Sequence, residues 1–160
     1  MNWESFFVAE VGAAAALAGL FFVALSINLK EIVASQGLAS LSLMSVIVLG
    51  AALTISSLML VPEQPALLLG SEVLLVGLLD WIVMSVNLWR SYRMLSRTRS
   101  WSTLLLSFLL GQASTLPFLI AGALLLLRGP VGVYLTVPGI LFSFIWALTN
   151  GWVMLVELKR

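Results

Sequence analysis

The chain has 160 residues, 61% of them hydrophobic and 9% charged, with a net charge of +1 and neither Cys nor His. A soluble domain carries about 25% charged residues, so this composition, with a mean hydropathy of +1.13, belongs to a membrane protein. The missing Cys and His exclude disulfides, thiol nucleophiles, zinc centres, histidine-ligated haem and the Ser-His-Asp triad.

Five apolar stretches reach the roughly 20 residues that a spanning helix needs: residues 6–28, 38–61, 66–89, 101–127 and 131–156. The expected fold is all-α, a polytopic bundle of five transmembrane helices forming one integral membrane domain over residues 1–160. The N-terminus lacks a basic n-region and carries Glu4 and Glu10, so the first span is expected to be retained rather than cleaved.

Orientation follows from the basic residues. With the N-terminus outside, Lys30, the four arginines Arg90, Arg93, Arg97 and Arg99, and the pair Lys159 and Arg160 face the cytoplasm. Only Arg128 then lies outside, so the positive-inside rule predicts N-out and C-in.

The first span places Gly12, Ala16, Gly19 and Ser26 along one helical stripe. Small residues at this spacing let another helix approach closely, either within the chain or at an oligomer seam. Glu10 and Asn28 lie five full turns apart on a face roughly opposite. The second span carries Gly50, Thr54 and Ser57 on one stripe, the two hydroxyls being of the kind that bond back to their own backbone, and ends in the proline turn VPEQP (residues 61–65).

The third span holds Glu72, Asp80 and Asn87 within about an 80° sector at 100° per residue and ends in LWRSYRMLSRTRSW. Arg90, Arg93, Arg97 and Arg99 are expected to bind anionic headgroups on the cytoplasmic side, or a cytoplasmic partner. The fourth span contains Gln112, Ser114, Thr115 and a kinking Pro117. The fifth has Thr136, Ser143 and Asn150 at heptad spacing, with Trp146 near that face.

The spans also resemble one another. AEV at residues 9–11 and ALSINLKE at 24–31 parallel SEV at 71–73 and VMSVNLWR at 83–90, while LGAALT at 49–54 parallels LGQAST at 110–115. These matches suggest a duplicated helical hairpin, residues 9–65 and 71–130, in parallel orientation with a fifth helix added.

The intramembrane carboxylates are the residues that could carry chemistry. Asp80 lies near the midplane, about 14 Å from the inner end at 1.5 Å per residue. A charge at a helix centre costs roughly 2.5–3.5 kcal/mol on insertion scales, so Asp80 is expected to face the bundle, to pair with Gln112, Ser85 or Thr115, or to carry a proton. Glu10, Glu72 and Asp80, with Asn28, Asn87, Gln112 and Asn150, form either an ion or proton pathway or a polar cluster that specifies packing. For Glu10, near the interface, the packing role is favoured.

No dyad, nucleophile–base pair or nucleotide loop is visible, so enzymatic activity, metal binding and nucleic-acid binding are not expected. No cofactor is expected either, although apolar grooves between such helices can accept a lipid, quinone or pigment without His ligation.

The segment FFVAEVGAAAALAGLFFVALSINL (residues 6–29) resembles the first span of a family of small bacterial multi-pass membrane proteins with no established activity. The resemblance implies a bacterial inner-membrane origin and supplies no site residues. Two functions are open at this point. One is an accessory or regulatory subunit packing against a larger membrane complex. The other is a homo-oligomeric channel, or a proton- or cation-coupled transporter, lined by the carboxylates.

Overall fold

In lipid, a long apolar run satisfies its backbone groups by forming a helix. The computed structural model describes residues 3–95 and 101–157, and among these the regular structure is helical throughout. Five long helices, α1 (Trp3–Ile27), α3 (Gln36–Leu58), α4 (Ala66–Leu95), α5 (Trp101–Arg128) and α6 (Val133–Glu157), coincide with the five expected stretches. A six-residue helix, α2 (Leu29–Ala34), fills the first connection.

Local chemistry sets the breaks. Asn28 leaves helical geometry at φ −110° and ψ 22°, and the extended Ser35 then caps α3 by accepting from the Leu38 amide at 3.5 Å. Pro62 and Pro65 flank Glu63, whose φ of 53° turns the chain after α3. α4 extends past the expected boundary at residue 89 through Arg90 and Arg93 to Leu95. Arg97, Arg99, Lys159 and Arg160 lie outside the described residues.

The stretches Trp3–Ile27, Gly37–Leu58, Ala66–Arg90 and Leu105–Met154 are long and apolar enough to cross a membrane. The last of these is 50 residues long. It folds back at Gly129, whose φ of 67° suits glycine, and at a 3-10 turn (Gly129–Gly132). α5 and α6 are therefore an antiparallel pair, and the turn seats Gly132 against Ala121 and Leu125.

α3, α4, α5 and α6 form a ring in which each helix packs on the next and α6 closes onto α3. α1 stands outside this ring, against α3 with a lesser contact on α6. At its N-terminal end Trp3 meets Tyr134 edge-on at 5.0 Å between ring centroids and packs beside Phe6 and Phe7. The aromatic cluster ties the start of α1 to the start of α6, so these two helices run parallel.

The ring is closed by glycines where α4 meets α5. A Cβ on Gly122 would lie 2.6 Å from the Leu74 Cα, and one on Gly70 would lie 2.9 Å from the Leu126 amide nitrogen. Backbones at this separation tolerate nothing larger than hydrogen. Close packing of this kind is the main source of helix association in lipid.

Candidate functional site

The buried apolar residues fall into separate groups along the bundle. One, nearer the Trp3 end, contains Ala52, Val73, Phe118 and Ile140; the next, toward α2, contains Met44, Val48, Met84 and Trp146. Between them on α4 sits Asp80, on α5 Ser114 and Thr115, and on α6 Ser143, all buried. A polar layer thus divides the core.

The helix registers place these residues at one height. α4 and α5 are antiparallel with Gly77 against Phe118 and Gly111 against Met84, which puts Asp80 level with Ser114 and Thr115. On the other side of α5, Gly139 meets the Phe118 ring and the Ser143 hydroxyl lies 3.4 Å from the Ser114 carbonyl oxygen.

Asp80 is 3% exposed, and neither carboxyl oxygen has a hydrogen-bond partner among the described residues. The neighbouring hydroxyls are turned to their own helices. Ser114 Oγ donates to the Gly111 carbonyl at 2.8 Å, Thr115 Oγ1 to the same oxygen at 3.3 Å, and Ser143 Oγ to the Gly139 carbonyl at 2.7 Å. One turn away, the buried Trp146 Nε1 also has no partner among the described residues.

The remaining candidates do not converge on this layer. Gln112 and Ser85, expected beside Asp80, instead form a trio with Trp81 on the flank of the α4–α5 seam. Trp81 Nε1 donates to Gln112 Oε1 at 2.9 Å, and Gln112 Nε2 lies 3.5 Å from Ser85 Oγ. Glu72, expected on the same polar face, accepts from Gln64 of the α3–α4 turn. Glu10 is half-buried on α1, its Oε2 enclosed without a partner among the described residues.

Asn28 and Asn87 hold the same local bond, each Nδ2 donating to the carbonyl four residues earlier at 2.9 Å. Asn150 does cross between helices, with Nδ2 donating to Ser45 Oγ at 3.3 Å on α3. The heptad stripe Thr136, Ser143 and Asn150 therefore faces the core along its length.

Sequence reasoning missed Trp81 and underrated Trp146. The available signals were the position of Trp81 four residues before Ser85, and that of Trp146 between Ser143 and Asn150.

The stripe of Gly12, Ala16, Gly19 and Ser26 is exposed, and a Cβ on Gly12 or Gly19 would meet nothing within 4 Å. It does not serve packing within the chain. Between α1 and α6 a groove of about 320 Å³ opens, with Leu17, Phe21 and Asn28 on one wall, Ala147 and Trp152 on the other and Leu49 at its floor. Glu10, Glu72 and Asp80 do not line it. No group of three His, Cys, Asp or Glu side chains able to hold a metal occurs among the described residues.

Compared with family models, curated proteins and solved structures, the chain matches none.

Proposed function

We propose that this chain is a non-enzymatic accessory or regulatory subunit of a bacterial inner-membrane complex, with five spans, its N-terminus outside and its C-terminus in the cytoplasm. The observation that carries the reading is the position of α1. This helix is packed on one side only, and its small-residue stripe is exposed on the side away from the ring. A stripe of this kind fits the ridge of an apolar helix from another membrane protein, because close backbone approach is what drives association in a bilayer.

Orientation rests on the seven basic residues that N-out topology gathers on the cytoplasmic side, and the reversal of α5 into α6 supports five spans rather than four. Arg90, Arg93, Arg97 and Arg99 would hold anionic headgroups or a cytoplasmic segment of the partner.

Native mass spectrometry of protein extracted gently from its own membranes tests the reading. The expected result is a stoichiometric complex with another chain, lost when Gly19→Leu is introduced while the monomer keeps its fold. A homogeneous multiple of 17.3 kDa with no other chain would overturn it.

A second reading, a homo-oligomeric proton- or cation-coupled transporter, is favoured by one observation, the buried Asp80 layer. It ranks lower because Glu10, Glu72 and Asp80 sit in three separate environments rather than along one path. Asp80→Asn with intact assembly and lost flux would promote it.

A further inference from the structure

A buried polar group without a partner in a native protein calls for an explanation, and one of those is a bound ion. Asp80 presents two such atoms in the centre of the ring. What its layer offers them is unusual in sign. The hydroxyl hydrogens of Ser114, Thr115 and Ser143 all point at backbone carbonyls, so these side chains turn oxygen lone pairs toward the layer. Pro117 has no amide hydrogen, which leaves the Ala113 carbonyl without its usual donor four residues on. A bare carboxylate gains no hydrogen bond from such acceptors, and Trp146 Nε1, unpartnered among the described residues, lies a turn away.

The surrounding charges do not compensate. Among the described residues α3 carries no charged side chain, and the charged residue of α5 is Arg128 at its end. α6 has Glu157 in its last turn. On α4 itself, Glu72 is about 12 Å away along the axis and Arg90 about 15 Å in the other direction. Glu10 belongs to α1, on the far side of α3 from α4. A single negative charge enclosed by oxygen lone pairs calls for a single positive one.

We propose that the Asp80 layer is a binding site for one monovalent cation, either a proton carried on the Asp80 carboxyl itself or a sodium-sized ion bridging that carboxyl and the hydroxyl oxygens of Thr115 and Ser143. The donor set is entirely hard oxygen, which suits an alkali ion or a proton and not a thiophilic or imidazole-seeking metal. One carboxylate balances one charge and leaves a divalent ion uncompensated. The inference is independent of what covers α1, since the layer lies within the ring.

The test uses the purified full-length chain in lipid nanodiscs, compared with Asp80→Asn, which keeps the shape of the neutral acid. Infrared difference spectra are taken in choline chloride and in sodium chloride at equal ionic strength, with thermal unfolding followed in parallel. If the cation is a proton, the wild type shows a protonated-carboxyl stretch in both salts that the variant lacks. If it is sodium, sodium removes that stretch and raises the unfolding midpoint by several degrees over choline in the wild type, and by nothing in the variant.

Absence of both signals in the wild type, or their persistence in Asp80→Asn, overturns the site. Should Asp80→Asn fail to fold, Ser143→Ala keeps the carboxyl and removes one oxygen. It is expected to shift the carboxyl stretch or weaken the sodium response, and no change in either would also overturn the proposal.

Discussion

The hairpin of α1 and α3 and the hairpin of α4 and α5 close in opposite ways. In the second, Gly70, Gly77, Gly111 and Gly122 are all consumed by the seam, each with a neighbouring atom within 3.1 Å of the place its Cβ would take. In the first, Gly12, Gly19 and Gly50 meet nothing within 4 Å. Two threonines tell the same story. Thr54 and Thr115 both bond back to the carbonyl four residues earlier, yet Thr54 is exposed and Thr115 fully buried. Small residues supply the capacity for close approach, and helix rotation decides whether the chain spends it on itself or leaves it exposed.

The sharpest way to break this comparison is Gly122→Ala. The added methyl meets the backbone of Leu74 at 2.6 Å, and backbone cannot swing aside as a side chain can. Overpacking costs about 1–3 kcal/mol and occasionally more, and this site is expected at or above the top of that range. Unfolding in mixed micelles measures it. A neutral Gly122→Ala would mean that the α4–α5 seam is looser than its glycines indicate.

The next effect is smaller. Trp81→Phe removes the donor to Gln112 Oε1 across the same seam. Interhelical hydrogen bonds in membranes average about 0.6 kcal/mol with a maximum near 1.7, so a loss in that range is expected in the same unfolding assay. A change well beyond it would show that the Trp81, Gln112 and Ser85 trio, rather than glycine packing, holds α4 to α5.

Much of this architecture is legible without coordinates. The five apolar stretches, the proline turn at residues 61–65 and the inward face of Asp80 all follow from the cost of exposing polar groups to lipid. The heptad stripe Thr136, Ser143 and Asn150 is legible for the same reason. The partners are not. Whether Gln112 reaches Asp80 or Trp81 depends on the rotation of α5, and an apolar helix carries little periodicity from which to read that rotation. The α1 stripe fails similarly: Gly12, Ala16 and Gly19 declare a contact without saying whose.

Gly19→Leu therefore has the smallest expected effect on the isolated chain. Its Cβ position is open, so stability in micelles is expected to stay within about 0.5 kcal/mol of wild type, as for other surface substitutions. In native membranes the same change fills the close-approach surface with a branched side chain. If another helix rests there, leucine removes it, and co-extraction of the partner drops while the monomer unfolds as before. If instead Gly19→Leu destabilises the purified monomer as strongly as Gly122→Ala, α1 packs against its own chain through this stripe, and the contrast between the two hairpins disappears. The pairing of an unchanged monomer with a lost neighbour is the outcome that only an outward-facing stripe predicts.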